Sequence, residues 1–230
     1  MSDPLSTALS ACQRRIAAAA AGRPVDLLAV SKTQPAERVR ALAALGQRAF
    51  GENYVQEAVV KIAACADLDL TWHFIGPLQS NKCADVARHF DWMQSLDRAR
   101  LVAPLARYRP PQAPPLNVLI QVNIDAEASK SGCSPGDIDG LAELVRAQPT
   151  LRLRGLMAIP QPHPDEAKRR SAFSRMRRLF ERLREGCPGV DTLSMGMSDD
   201  LEQAIAEGAT LVRVGSALFG PRPPAGRRAG

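Results

Sequence analysis

Short apolar segments recur along the whole chain with helical patterns between them, and this alternation limits the possible folds more than any other feature. Eight segments are predicted to be buried strands, because they are too short for typical globular helices. They cover residues 26–31, 48–51, 71–75, 92–96, 116–124, 151–159, 192–197 and 210–214. Strands that alternate with helices are typical of a parallel α/β fold.

The number of these units predicts the architecture. A helix over 4–21 precedes the first strand, and eight βα units then account for almost all of the 230 residues. The pattern predicts a single (β/α)8 barrel of the TIM type over 1–220, with an extra N-terminal helix and a disordered basic tail over 221–230. A doubly wound open sheet is the alternative, but no G-x-G-x-x-G follows the first strand.

Cysteine and histidine usage narrows the function classes. Five cysteines form no C-x-x-C pair and three histidines lie far apart, so neither a disulfide framework nor a metal site is predicted. The apolar stretches are shorter than a membrane span, and the N-terminus shows no secretory pattern. These features predict a cytoplasmic protein that does not enter a membrane.

The net charge of +6 raises the question of nucleic acid. Its arginines concentrate in the tail and in residues 168–184, where apolar residues at helical spacing predict an amphipathic helix with a basic outer face. A solvated helix face is favoured over a nucleic-acid surface, because aromatic residues make up only 4% of the chain and no nucleic-acid-binding motif accompanies the charge. No specific nucleic-acid partner is predicted.

Lys32 stands where the first predicted strand meets its loop. A lysine at such a place is paired, exposed or used for chemistry. Desolvation lowers the pKa of an amine, and a neutral amine can attack a carbonyl group. Lys32 is therefore a candidate nucleophile.

Other polar residues follow the ends of predicted strands, where barrel enzymes hold their active sites. Asn53 follows the second strand, and His73 lies in the third. Ser198 and the pair Gly215-Ser216 follow the seventh and eighth, and loops at those positions commonly bind phosphate in barrels. The alternative is structural: Ser198 as a helix cap and Gly215 as a tight turn.

Lys32, the phosphate loops and Arg213 together suggest a cofactor. Pyridoxal 5′-phosphate (PLP) needs a lysine for its imine, an anchor for its phosphate and a charged partner for its pyridine nitrogen. Arginine can only donate hydrogen bonds, so it would leave that nitrogen unprotonated and weaken the ring as an electron sink. Such a site favours holding the cofactor over carbanion chemistry.

Seven ordered motifs between about 25 and 220 resemble one known family, the pyridoxal phosphate homeostasis proteins. The motifs are AVSKTQP, FGENYVQE, WHFIGPLQSNK, KSGC, LRGLMAIP, LSMGMSDDLEQAI and RVGSALFG. This family is similar to the barrel domain of alanine racemase. The resemblance implies a PLP-binding (β/α)8 barrel that carries or buffers the cofactor and has no firmly established catalytic reaction.

The resemblance also assigns roles to residues around the cofactor ring. Lys32 would form the internal aldimine, and Arg213 would face the pyridine nitrogen. Asn53 would lie by the ring or its hydroxyl. His73 either lines the pocket or is a hydrogen-bonded core histidine.

The phosphate group of the cofactor would be held by the loops after the last two strands. Ser198, Gly215 and Ser216 would bind it, with Met195 and Gly196 lining the same rim. Ser216 departs from the threonine expected at this place in the family, and both residues offer a hydroxyl group.

An amino-acid racemase using the same site is the alternative function. Racemisation needs proton donors on both faces of the substrate, and in alanine racemase one is a tyrosine associated with a further domain and a dimer. Neither Tyr54 nor Tyr108 stands in a motif that matches this racemase tyrosine, which favours the carrier. The family precedent predicts a monomer, and PLP-dependent apoenzymes are candidate recipients of the cofactor.

Overall fold

A computed structural model describes residues 3–127 and 130–220. Its strands are β1 Asp26–Val30, β2 Ala49–Glu52, β3 Thr71–Phe74, β4 Trp92–Leu96, β5 Leu116–Gln121, β6 Leu151–Met157, β7 Thr192–Ser194 and β8 Leu211–Val214. Within these residues the α-helices are α1 Pro4–Ala20, α2 Ala36–Ala44, α3 Val55–Ala64, α4 Cys83–His89, α5 Val102–Tyr108, α6 Ile138–Arg146, α7 Glu166–Gly186, α8 Leu201–Ala206 and α9 Ser216–Phe219. Short 3-10 turns precede α4, α5 and α6 at Ser80–Lys82, Ala99–Leu101 and Pro135–Asp137. The predicted tail over 221–230 lies outside the described residues.

The eight strands close into a barrel. Each strand pairs in parallel with the next one along the chain, and β8 returns to pair with β1, where Leu28 lies opposite Arg213. The closure confirms the predicted (β/α)8 fold and excludes the open doubly wound sheet. It also brings the loops after β1, β7 and β8 to the same end of the barrel.

Apolar side chains fill two layers. A large cluster lies between the strands and the helices, where Phe74 and Phe90 meet edge to face at 5.5 Å. A smaller cluster of Leu28, Ile75 and Leu211 lies inside the barrel. The remaining interior holds buried polar side chains, which is unusual because branched apolar residues usually dominate this space.

Five strands end earlier than predicted: β1 and β3 by one residue, and β5, β6 and β7 by two or three. β5 stops at Gln121, because the chain then turns at Asn123, whose side-chain amide bonds both backbone groups of Glu127. β6 ends at Met157. β7 ends at Ser194 rather than at 197, because Gly196 adopts a φ of +92°, which is incompatible with a strand. Apolar composition predicts burial, not strand pairing.

Ser198 does not cap a helix, which corrects that alternative. The helix after β7 begins at Leu201, with Asp200 at the N-cap position. Asp200 Oδ1 accepts the amide of Met197 at 2.6 Å, and Ser198 stays in the loop. The hydroxyl of Ser198 is therefore not used on the backbone of α8.

The two longest helices form as predicted. α1 begins after Asp3, whose carboxylate accepts the amide of Leu5, and it packs against α8 and α9. α7 buries Phe173, Met176 and Phe180 on its inner face, as the amphipathic pattern predicted. Across the described parts of the chain, no helix combines the length and apolarity that a bilayer crossing needs.

Candidate functional site

A cavity of about 280 Å³ opens at the carboxyl ends of the strands, near the lower end of the size range for small-molecule pockets. It lies between the loops after β1, β2, β7 and β8. Its lining contains six of the predicted site residues, Lys32, Asn53, Ser198, Arg213, Gly215 and Ser216, together with Val30, Gln34, Ile75, Ile159, Met197, Asp199, Phe219 and Gly220. The fold thus gathers residues from opposite ends of the chain into one small space.

Lys32 reaches this cavity from a turn. β1 ends at Val30, and residues 31–34 turn before α2, so Lys32 lies two residues beyond the strand rather than at its last position. Its side chain is half-buried and lines the cavity. The backbone is tightly bent here, because Thr33 adopts a φ of +63°, a left-handed conformation that is rare for a β-branched residue.

Arg213 forms the floor of the cavity. Its guanidinium donates to the hydroxyl of Ser194 at 2.7 Å and to the carbonyl of Ala158 at 2.8 Å, so both terminal nitrogens are fixed. Burial lowers the pKa of Arg213 to about 10, with the nearby carboxylate of Asp200 acting in the opposite direction. The group stays protonated at neutral pH and can donate hydrogen bonds but not accept them.

Hydroxyl groups and a glycine form one side of the cavity. Ser216 Oγ lies 3.3 Å from Ser198 Oγ, so the loops after β7 and β8 present two hydroxyls together. A Cβ at Gly215 would come no closer than 3.5 Å to Val30, and Gly215 has a φ of −117°, so the fold itself does not require glycine there. Its missing side chain instead leaves room on the cavity side.

Asn53 supplies a buried acceptor. Among the described residues, its Oδ1 has no hydrogen-bond partner and is shielded from solvent. Gly76 packs against its backbone, where a Cβ would stand 2.1 Å from the Asn53 carbonyl oxygen. Because Asn53 also lines the cavity, its unsatisfied amide oxygen is a candidate acceptor for a ligand donor.

Met195 and Gly196 lie behind the rim and do not line the cavity. Met195 is fully buried, and its amide bonds the carbonyl of Leu211. Gly196 accepts the amide of Arg213, and a Cβ there would come within 2.5 Å of Ala204. Met195 and Gly196 therefore support the backbone of β8 near Arg213 and do not contact the cavity directly.

His73 lies deeper, away from Lys32. It lines a second cavity at the amino ends of the strands, stacks on Trp92 at 5.0 Å, and its Nδ1 lies 2.8 Å from Gln94 Nε2. Burial lowers the pKa of His73 to about 3, so its ring is neutral near pH 7. The structure therefore separates His73 from the six residues gathered at the mouth.

Two supporting residues were not predicted from the sequence. Ser194 Oγ accepts from Arg213 and donates to Gln94 Oε1 at 2.8 Å, and Gln94 in turn contacts His73. This polar chain crosses the barrel interior from β8 to β3 and holds the guanidinium in place. A signal was present, because Gln94 and Ser194 are polar residues inside apolar runs.

Neither tyrosine lines the cavity. Tyr54 is exposed just before α3, and Tyr108 lies at the end of α5, where the guanidinium groups of Arg88 and Arg107 are 5.6 and 5.7 Å from the centre of its ring. Over the described residues no group of three or more histidine, cysteine or acidic side chains is placed to hold a metal ion. The candidate site is thus defined by a lysine, an arginine, an amide and hydroxyls.

The outer face of α7 carries less free charge than its arginine count suggests. Arg170 pairs with Glu207 at 2.7 Å, Arg175 with Asp125 at 2.7 Å, and Arg182 approaches Asp139 at 3.5 Å. These pairs neutralise part of the basic face within the protein itself.

Comparison with known proteins supplies the family. The family described as alanine racemase, N-terminal domain, matches residues 7–223. The chain is 58% identical over 215 residues to a pyridoxal phosphate homeostasis protein of Pseudomonas aeruginosa, covering 92% of each sequence. It is similar to the structure of PipY from Synechococcus elongatus with PLP bound, with a TM-score of 0.83 and 36% identity over 94% of this chain and 100% of that one.

More distant structures share the fold alone. Alanine racemase from Corynebacterium glutamicum superposes with a TM-score of 0.66 at 19% identity, and covers 99% of this chain against 64% of the racemase. The family match and the high identity over nearly full length agree with the seven motifs in the sequence. The chain belongs to the pyridoxal phosphate homeostasis protein family, within the alanine racemase N-terminal domain family.

Proposed function

We propose that this protein binds PLP as a Schiff base on Lys32 and acts as a cytoplasmic carrier in cofactor homeostasis. The observation that carries the proposal is the convergence of Lys32, Arg213 and the hydroxyls of Ser198 and Ser216 around one 280 Å³ cavity. In the proposed attachment, Lys32 Nζ adds to the aldehyde carbon, one water leaves, and a C=N bond replaces the C=O bond.

The residues present fit the cofactor. The phosphate would lie at the two hydroxyls and at the first turn of α9, with Gly215 leaving space for its approach. The orphan Oδ1 of Asn53 suits a donor on the ring side of the cofactor. Asp199 also lines the cavity and lies near the phosphate side, so it limits how strongly an anion is held.

Arg213 supports holding over catalysis. When bound, PLP supplies an aldehyde for imine formation and a pyridine ring that withdraws electrons. A guanidinium facing the ring nitrogen can only donate to it, so the nitrogen stays unprotonated and withdraws electrons less strongly. The hydrogen bonds to Ser194 and Ala158 keep the guanidinium from turning away.

The relatives support the same function. PipY was solved with PLP bound, and the Pseudomonas aeruginosa relative is named for pyridoxal phosphate homeostasis. The proposed recipients of the cofactor are PLP-dependent apoenzymes, and the proposed carrier is a monomer. Racemisation is disfavoured because neither Tyr54 nor Tyr108 lines the cavity as a proton donor for the second face.

The test is an absorbance spectrum of the purified protein with added PLP, before and after borohydride reduction, followed by peptide mapping. We expect a visible imine band that reduction removes, and a reduced adduct on Lys32. Lys82→Ala is the matched control, because Lys82 lies in the 3-10 turn before α4 and outside the cavity. It should keep the band and the adduct.

Two results would overturn the proposal. One is a protein that stays colourless with excess PLP. The other is an adduct that maps to Lys82 or to another lysine while Lys32 stays unmodified. Racemisation of added amino acids by the loaded protein would replace the carrier with the enzyme alternative.

A further inference from the structure

The turn that carries Lys32 is held from both sides by charged side chains that do not line the cavity. We define the β2–α3 charge cluster as Glu52 at the end of β2 with Glu57 and Lys61 on α3. Lys61 Nζ lies 2.6 Å from Glu52 Oε1 and 2.9 Å from Glu57 Oε1. The amine thus joins the two carboxylates.

Each member of the cluster also contacts a neighbour of Lys32. Lys61 Nζ donates to the carbonyl of Ser31 at 2.8 Å, and Ser31 Oγ donates to Glu52 Oε1 at 2.6 Å. On the other side, the amide of Thr33 donates to Glu57 Oε1 at 2.6 Å. The residues immediately before and after Lys32 are therefore both fixed by the cluster.

The cluster lies outside the barrel wall. Along β2, Gly51 faces the interior residues Leu28 and Ile75, while Phe50 packs on Trp72 in the layer beneath the helices. Because successive strand residues alternate in direction, Glu52 faces the same layer as Phe50. The side chains of the cluster do not line the cofactor cavity, and they contact the backbone of the 31–34 turn that carries Lys32.

Lys61 has no capacity left for chemistry of its own. An ammonium has three donors, and its three acceptors here are Ser31 O, Glu52 Oε1 and Glu57 Oε1. Its side chain is 5% exposed and that of Glu52 is fully buried. A buried ion pair of this kind is weak evidence for stability, because desolvation offsets the attraction between the charges.

The backbone explains what the cluster is used for. The left-handed φ of +63° at Thr33 is costly for threonine and persists only where the surroundings impose it. The turn is closed by its own hydrogen bond from Gln34 N–H to Ser31 O at 3.0 Å, and the bonds from Thr33 N–H to Glu57 and at Ser31 add side-chain contacts on both sides of Lys32. Loss of these side-chain bonds would leave the strained backbone at Thr33 with fewer contacts to hold it.

We infer that Glu52, Glu57 and Lys61 are positioning residues, which hold the 31–34 turn so that Lys32 Nζ points into the cavity before the cofactor arrives. This inference rests on the proposed function, because it assigns Lys32 as the attachment point. Because the cluster orients the amine of Lys32 in advance, less conformational entropy is lost when the cofactor reacts with it.

Glu57→Ala is the main test, because Glu57 is one-third exposed and its loss leaves the buried pair of Glu52 and Lys61 in place. We expect imine formation with added PLP to slow about tenfold. In the protein without PLP, hydrogen exchange in a peptide covering 31–34 should accelerate about tenfold or more. Glu57→Gln keeps an acceptor for Thr33 N–H and should recover most of both values.

Glu181→Ala is the matched control, since Glu181 also forms an i,i+4 pair, with Arg177 on α7, far along the chain from the turn. It should change neither the rate nor the exchange. Lys61→Met removes the charge that joins the two carboxylates. It should slow imine formation and accelerate hydrogen exchange in 31–34 more than Glu57→Ala does.

The outcomes separate this inference from the proposed function. Unchanged imine kinetics and unchanged 31–34 exchange in Glu57→Ala, with the adduct still on Lys32, would overturn the positioning role alone. Absence of any Lys32 adduct in the unmodified protein would overturn the proposed function instead. In that case faster exchange in Glu57→Ala would still establish that the cluster holds the turn.

Discussion

Within the described residues a cavity opens at each end of the barrel, and the smaller one is the better candidate site. The lower cavity, at the amino ends of the strands, measures about 670 Å³ against about 280 Å³ at the mouth. Its arginines are already engaged. Arg154 binds Asp191 at 2.6 Å and lies 4.7 Å from the centre of the Trp92 ring, and Arg23 donates to the carbonyl of Ile205.

The mouth is the better candidate because of its polar groups, although its volume is smaller. Within the described residues Asn53 Oδ1 lacks a protein partner, and the hydroxyls of Ser198 and Ser216 hydrogen-bond only to each other at the cavity rim. A ligand gains most where polar groups still need partners. In this barrel, polar groups that a ligand can satisfy identify the candidate site better than cavity volume does.

Lys32→Ala gives the largest expected effect and tests the comparison directly. The variant should lose the borohydride-trapped adduct completely, because the proposed covalent attachment has no other amine at this position, while weak binding through the phosphate remains. The measurement is mass spectrometry of the reduced protein. Arg48→Ala at the lower cavity is the control and should retain the adduct. If both variants lost the adduct to the same extent, the assignment of the cofactor to the mouth rather than to the lower cavity would be wrong.

Gln94→Leu interrupts the polar chain between the two cavities. It leaves the Ser194 hydroxyl without its acceptor and His73 Nδ1 without its partner, so we expect a loss of about 3 kcal/mol in the free energy of unfolding. Urea denaturation measures this loss, with exposed Gln79→Leu as control. PLP affinity should also fall, because Arg213 loses part of its support. Unchanged affinity would mean that the mouth does not depend on the interior chain.

His73 makes the lower half of the barrel sensitive to acid. Burial lowers its pKa to about 3 in the folded protein from the ordinary 6.5 of a histidine, so below pH 6.5 the unfolded chain binds a proton that the folded chain does not. Stability is therefore full above pH 6.5 and falls as the pH drops toward 3, by roughly 2 kcal/mol at pH 5.

Urea denaturation of the unmodified protein and of His73→Gln at pH 7 and pH 5 measures this contribution. The variant should lose less stability than the unmodified protein between the two pH values, and His89→Gln, which changes an exposed histidine, should behave as the unmodified protein does. Equal pH dependence in all three proteins would contradict the burial of a neutral His73.

The Ser198→Ala and Ser216→Ala double substitution gives the smallest expected effect and sharpens the assignment of the phosphate side. Affinity for PLP should fall about tenfold, or about 1.4 kcal/mol, while affinity for pyridoxal without phosphate should hardly change. Equilibrium titration with both compounds measures the ratio. Ser216→Thr keeps the hydroxyl and is the control. A similar fall for pyridoxal would place the two hydroxyls near the ring instead.

Part of the architecture was predictable from local pattern. The apolar runs and the helical periodicity between them predicted all eight strands and the N-terminal helix, because the spacing of apolar residues follows the period of the face that each element buries. Strand ends were less predictable. The predicted strand runs to residue 197, yet β7 ends at Ser194. Gly196 adopts a φ of +92°, and it lies so close to α8 that a Cβ would come within 2.5 Å of Ala204, which local sequence does not reveal.

The chain by itself determined the alternation that makes a barrel and the placement of Lys32 just after β1, since both follow from local residue order. Only the tertiary structure decided which polar side chains meet. Ser194 and Gln94 are 100 residues apart and hydrogen-bonded, and Lys61 reaches Ser31 from 30 residues away. The physical reason is that strand tilt and closure set the depth and direction of each interior side chain, and these depend on all eight strands at once.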